Sequence, residues 1–180
     1  MSIPLEVPDE VTFEQAIALT QSLLSYAEAA QTLEPEIAAA IAQLVKTENG
    51  ARGFFVTYLT SEASIADNPP QPLVEALRSH PEVVSELLVK NLAMSASQAV
   101  FHRRHQKEDM AQASEQVRQR TACLIQLLEL PQVRDRLQQL LETITTGEGS
   151  YKTFLERWSY DLKQKQAMSH AIERAIARAK

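Results

Sequence analysis

The chain has 180 residues, of which 44% are hydrophobic and 23% charged, the usage of a single ordinary globular domain. Its one cysteine excludes an internal disulfide framework, and no apolar run approaches the length of about 18 residues that a membrane span requires. The acidic N-terminus lacks the basic and apolar segments of a signal peptide, so we expect a cytoplasmic protein without a transmembrane segment.

The net charge of −5 is unevenly distributed along the chain. Residues 1–90 contain 4 basic and 13 acidic residues, a net charge of −9, whereas residues 91–180 contain 14 and 10, a net charge of +4. Such asymmetry is typical of a chain with a polar partner, or of attraction between its two halves. The acidic total argues against a primary nucleic-acid binder.

Two helices are predicted before residue 50. Thr12, followed three residues later by Gln15, forms a capping-box signature and predicts a first helix to about Gln31. Pro35 suits the first turn of a second helix to about Thr47, and Asn49-Gly50 is expected to end it.

Residues 53–60 form the one stretch with strong strand propensity. No second candidate strand exists to pair with it, and an unpaired strand leaves backbone groups unsatisfied. The spacing of Phe54, Phe55 and Tyr58 also fits one helical face. We therefore predict a buried helix, although the composition alone also fits a strand.

A proline-rich loop lies within residues 61–72, and a short helix is predicted at 72–79 before Pro81 opens the next one. We expect a single helical domain. The loop offers one point of division, into an acidic N-terminal helical subdomain at 12–66 and a larger helical part at 72–180.

Residues 82–130 contain neither glycine nor proline. The segment 82–101 is apolar nearly all round, which predicts a central helix. Polar residues follow at 102–109, and residues 110–128 then show a heptad-like apolar spacing that is typical of helix association. The pattern fits either one long helix or two helices with a reversal near 104–109.

Pro131 opens a further helix, Gly147-Glu148-Gly149 interrupts the chain, and Ser150 is expected to cap a long C-terminal helix. Its apolar stripe at 168–179 is rotated relative to the stripe at 151–162, which favours packing on a different surface, such as a second subunit. The fold prediction is an all-α, irregular multi-helix bundle of about seven helices.

His102, His105 and Asp109 have the spacing of metal ligands on one helix. The cations that surround them disfavour a bound metal ion, so we interpret the segment as a solvated polar face. We predict no metal site, and no motif indicates a cofactor.

Three segments are candidates for a protein interface. The first is the basic cluster at 103–107, which Arg118 and Arg120 follow and which suits an acidic partner. The second surrounds Trp158, which we expect to be a core anchor, with an interface role as the alternative. The apolar tail is the third contributor, and the candidate surface comprises Arg103, Arg104, Lys107, Arg157, Trp158, Tyr160, Ile172 and Ile176.

No arrangement of residues with the order of a known catalytic motif is present, and we predict no catalytic residue. We predict a non-enzymatic helical interaction protein (an adaptor, assembly factor or regulator) that self-associates. One alternative is a carrier of an apolar small molecule, held between helices by Phe54, Phe55, Tyr58, Met94, Phe101 and Phe154. Two further alternatives are an enzyme with an unrecognised site and attachment of the basic final helix to a membrane surface.

Overall fold

A computed structural model describes residues 5–179, and within that range the chain forms nine α-helices, one short 3₁₀ helix and no strand. The all-α prediction is confirmed. The helices number nine rather than about seven because the segments 82–130 and 150–180 each form two. The chain divides within the fifth helix into two compact units, which end and begin at Leu87 and Leu88.

The first unit contains α1 (Phe13–Ala30), α2 (Pro35–Leu44), α3 (Glu48–Thr60), the 3₁₀ helix (Ser64–Ala66), α4 (Gln71–Arg78) and the start of α5 (Pro81–Arg104). The predicted capping box is confirmed: the Thr12 hydroxyl accepts from the backbone N–H of Gln15 at 3.1 Å, and the Gln15 carboxamide accepts from that of Thr12 at 3.0 Å. Gln31, in the left-handed conformation with φ 53°, ends α1.

The strand-prone segment 53–60 is helical, as predicted, and forms most of α3. The prediction that Asn49-Gly50 ends α2 is wrong, because both residues lie in the first turn of α3, which Thr47 caps through the Gly50 N–H at 3.1 Å. A Cβ on Gly50 would overlap the carbonyl of Leu44. The glycine therefore permits close approach of two helices and does not mark a turn.

The helices α1 and α3 cross closely at Gly53, where a Cβ would overlap that of Ala16. Phe54 and Tyr58 are fully buried, with ring centroids 5.3 Å apart. The Tyr58 hydroxyl donates a hydrogen bond to the carbonyl of Ile65 at 2.6 Å, which satisfies the one polar atom of this ring in the core.

The second unit contains the remainder of α5, then α6 (Glu108–Leu128), α7 (Pro131–Thr146), α8 (Lys152–Arg157) and α9 (Leu162–Arg178). The segment 82–130 is thus two helices. Gln106, with φ 59°, lies in the turn between them. Arg103 Nη1 lies 3.6 Å from Glu115 Oε1, whereas twelve residues of continuous helix would separate them by about 18 Å. The chain therefore reverses at this turn.

A long C-terminal helix is present, but it is α9 and it begins at Leu162 rather than after Ser150. The separate helix α8 ends at Arg157, and Ser159 then adopts the left-handed conformation with φ 48°. Asp161 restarts the helix because its carboxylate accepts from the N–H of Gln164 at 3.0 Å in a second capping box.

The core of the second unit includes the apolar stripe of α9. Met168 and Ile172 are fully buried in a single copy of the chain, and α9 packs against α7 and α6. The predicted packing of this stripe on a second subunit is therefore not needed to bury them. From Leu5 to Ala179, no helix is both long and apolar enough to cross a membrane.

Candidate interaction surface

One face of α5 contacts the segment between α8 and α9. Lys90, Ser97 and Arg104 follow one another at intervals of seven residues, so they share that face. Lys90 Nζ lies 5.7 Å from the ring centroid of Phe154, and a hydrogen bond joins the hydroxyls of Ser97 and Tyr160. Burial raises the pKa of the Tyr160 phenol, and the hydrogen bond with Ser97 acts in the opposite direction.

Arg104 and Asp161 complete this contact. Arg104 Nη1 donates to Asp161 Oδ2, and Nη2 lies 3.4 Å from Oδ1. Hydrogen bonding from Arg104, followed by that from the backbone of Gln164, lowers the pKa of Asp161 to about 2. The same carboxylate thus caps α9 and binds the last residue of α5.

Trp158 lies at the end of α8 and is 53% exposed, so the expectation that it is a core anchor is wrong. The Arg157 guanidinium stands 5.5 Å from the Trp158 ring centroid. Arg157 does not share a helix with Asp161, because α8 ends at Arg157, and the ion-pair partner of Asp161 is Arg104. Leu162 beside this turn is 72% exposed.

The turn between α5 and α6 carries the rest of the basic cluster. Arg103 forms ion pairs with Glu108 and Glu115, each at 3.6 Å, and Lys107 is exposed just before α6. Phe101 is exposed, with its ring centroid 4.3 Å from that of His105.

The structure brings some of the sequence-predicted residues together and not others. The ion pair to Asp161 joins Arg104 to the segment that holds Trp158 and Tyr160. Ile172 is a core residue, and Ile176 is half-buried on the same helix, so neither extends this surface as predicted. Arg120, which the sequence placed with the basic cluster, is buried.

The heptad-like seam of α6 is divided between solvent and core. Its early members Met110 and Ala113 are exposed, whereas Thr121, Leu124 and Leu128 are buried. Only the later half of this apolar seam therefore packs in the core of the second unit.

The aromatic residues proposed to line an apolar ligand site do not form one group. Phe54, Phe55 and Tyr58 pack on one another in the core of the first unit. In the second unit, Phe101 is exposed. Packing accounts for the three buried rings without a ligand.

The candidate metal ligands are also separated, since His105 follows the end of α5 and Asp109 lies in α6. His105 Nδ1 lies 2.8 Å from the carbonyl of Phe101. Across residues 5–179, no group of three or more His, Cys, Asp or Glu side chains is arranged to hold a metal ion.

The role of Asp161 as a helix cap was not predicted from the sequence. Asp161 and Gln164 have the spacing of a capping box, the same signal that identified α1, but the expected cap at Ser150 placed them inside a continuous helix.

The fold and this surface describe an all-helical protein with an exposed aromatic and cationic turn. The family model described as "Uncharacterised conserved protein UCP020893" matches residues 12–175, nearly the whole chain, and the chain belongs to that family. The comparisons with curated proteins and with solved structures found no match.

Proposed function

We propose that the chain is a non-enzymatic protein-interaction module in the cytoplasm and that it self-associates through the turn around Trp158. The observation that carries the proposal is the exposure of this side chain, because a Trp ring buried in a partner gains a large apolar transfer free energy. Trp and Arg are the residues most enriched among those that dominate binding energy, and Arg157 lies against the ring.

The turn is already ordered before any partner binds. The backbone before Trp158 belongs to α8. The backbone after it leads to Asp161, which caps α9 and forms an ion pair with Arg104. Binding through a preorganised turn avoids much of the entropy cost of ordering a loop. Leu162, which is 72% exposed, adds apolar area near the ring.

A second copy of the chain is the partner we propose. Residues 1–90 carry a net charge of −9, whereas the surface around Trp158 is flanked by exposed cations, including Arg157 and Lys163. Opposite charges on the two halves favour contacts between copies, and the contribution should weaken as salt screens it.

Light scattering coupled to size exclusion, over a concentration series, tests the proposal. We expect the wild-type chain to form dimers or larger species and a Trp158→Ala, Leu162→Ala variant to run as a folded monomer. The control is Tyr26→Ala, which removes an aromatic ring that is 44% exposed on α1, against 53% for Trp158. We expect it to leave the association unchanged.

A wild-type chain that remains monomeric at every concentration contradicts self-association. Equal loss of association in the Trp158 and Tyr26 variants contradicts the choice of surface. Because the chain has a single Trp, its fluorescence reports the same event: association should move the emission to shorter wavelength.

A further inference from the structure

A groove of about 300 Å³ runs between α6 and α9 of the second unit. Arg118 lines it from α6, and Arg174 and Arg178 line it from α9. None of the described residues that form its walls is acidic. Three guanidinium groups therefore share one concave space that an anion can enter.

The arginines differ in how their charge is balanced. Arg118 Nε and Nη2 each lie 2.8 Å from Glu115 Oε2. Glu115 therefore balances the charge of Arg118 and binds one edge of its guanidinium group. Its other edge retains N–H donors. Arg174 and Arg178 form no ion pair with any residue between Leu5 and Ala179. Within the described part of the chain, two arginines of the groove therefore have no carboxylate partner.

Arg174 and Arg178 lie near the C-terminal end of α9, where cations interact favourably with the helix dipole, but their like charges repel each other. They are four residues apart on α9, so they lie on the same face, and like charges at this spacing destabilise a helix. A bound dianion would balance both charges.

The floor of the groove is apolar. It is formed by small side chains, among them Ala122, Ala171 and Ala175, and by the partly exposed thiol of Cys123. Small residues at a helix contact leave open space above them, and this space could receive the apolar part of a ligand. Gln119 and Gln126 add amide donors at the rim.

We propose that this groove binds a small phosphate monoester, with its dianionic phosphate held by Arg174 and Arg178 and its organic group resting on the alanine floor. Arginine presents paired N–H donors that match phosphate oxygens. The volume is at the lower end for small-molecule sites, which fits a single small molecule rather than a polymer. The proposal does not depend on the interaction surface around Trp158.

Phenyl phosphate is the probe, and inorganic phosphate and benzoate are its two partial analogues. Binding is measured by isothermal titration calorimetry at constant ionic strength. The second readout is alkylation of Cys123, the chain's one cysteine, by iodoacetamide with and without probe. Occupancy of the groove should slow alkylation, whereas binding elsewhere should not.

We expect phenyl phosphate to bind more tightly than either analogue and to protect Cys123. Arg174→Gln and Arg178→Gln should each weaken its affinity by about tenfold or more, the usual effect of losing a charge-assisted hydrogen bond. Arg134→Gln, an exposed arginine of α7 outside the groove, is the matched control and should bind as the wild type does.

Three results would overturn the proposal. The first is absence of both binding and protection with the folded wild-type protein. The second is equal affinity in the groove variants and in Arg134→Gln. The third is equal affinity for phenyl phosphate and inorganic phosphate, which would show that the floor contributes nothing. Circular dichroism of each variant establishes that it is folded.

Discussion

Arg104 and Asp161 are 57 residues apart in the chain and form an ion pair through two N–O contacts. The pair joins the last residue of α5 to the N-cap residue of α9. Asp161 is therefore engaged on two sides: by a guanidinium across the unit and by the backbone of its own helix. The position of Trp158, three residues earlier, depends on this carboxylate.

The charge state of Asp161 provides a direct test of the pair. Its pKa is about 2 because hydrogen bonds from Arg104 and Gln164 stabilise the carboxylate. In Arg104→Gln, the first of these is lost, and we expect the pKa to rise towards the ordinary value of about 3.9. The titration midpoint of the side-chain carboxyl carbon, followed by NMR, measures it. An unchanged midpoint in the variant would mean that the pair does not form in solution.

The same shift predicts how stability depends on pH. A carboxyl whose pKa is lowered on folding stabilises the fold above its unfolded pKa, and this contribution is lost as the pH falls through the folded pKa. The stability difference between wild type and Asp161→Asn should therefore be constant above about pH 4 and shrink towards pH 2. Urea denaturation at a series of pH values measures this difference. A difference that does not vary with pH would contradict the linkage.

The two roles of Asp161 can be separated by substitution. Asparagine retains the capping oxygen, whereas alanine removes both the cap and the ion pair. We expect Asp161→Ala to lower the melting temperature more than Asp161→Asn does, and to leave Trp158 in a more variable environment. Thermal denaturation and Trp fluorescence anisotropy check these outcomes. Equal melting temperatures would show that the cap contributes little.

The crossing of α1 and α3 predicts a penalty for a larger residue at Gly53. Alanine is the better helix former by about 1 kcal/mol, but overpacking a close contact costs about 1–3 kcal/mol. We expect Gly53→Ala to destabilise the fold by up to about 2 kcal/mol, because the new Cβ overlaps that of Ala16. Chemical denaturation measures this. Adding Ala16→Gly should recover part of the loss, and a single variant more stable than wild type would contradict the close crossing.

Neighbouring residues of α9 should differ sharply in their contribution to stability. Ile172 is fully buried, and Ile172→Ala should cost about 2–5 kcal/mol. Ile176 is half-buried, and Ile176→Ala should cost about 1 kcal/mol. The free energy of unfolding of the two variants provides the comparison. Similar values would mean that the tail stripe is not packed in the core of the chain.

The start of a helix could be predicted from the sequence where neighbouring residues mark it. The Thr12 capping box and Pro35 in a first turn are recognised from neighbouring residues alone, and both mark helix starts in the structure. The helical state of residues 53–60 required one further argument, the lack of a partner strand, because backbone pairing overrides propensity.

The helix ends that the sequence did not locate depend on less specific signals. Chain breaks are expected at glycine, yet the break between α8 and α9 uses Ser159 in the left-handed conformation, and the reversal that the sequence left open near 104–109 uses Gln106. Conversely, Gly50 lies inside a helix, because its role is a close approach between helices. Such a role depends on tertiary packing, which a single sequence does not display.

The candidate site was predicted in pieces. Arg104 and Trp158 were both identified, but from separate patterns more than fifty residues apart. Their association requires Asp161, and that pairing arises only when the end of α5 meets the start of α9. The sequence could not show that Ile172 is buried and Trp158 exposed, because an apolar residue at helical spacing fits a core and an interface equally well.

The left-handed residues Gln31, Gln106, Glu129 and Ser159 have a consequence for the tolerance of this chain to substitution. A side chain in this conformation costs about 1–2 kcal/mol, and glycine would remove that cost while losing about 0.5–1 kcal/mol through the unfolded chain. Glycine at Gln31 or Glu129, the residues that end α1 and follow α6, would therefore add stability. The added stability would let the chain remain folded with destabilising substitutions in its proposed binding sites.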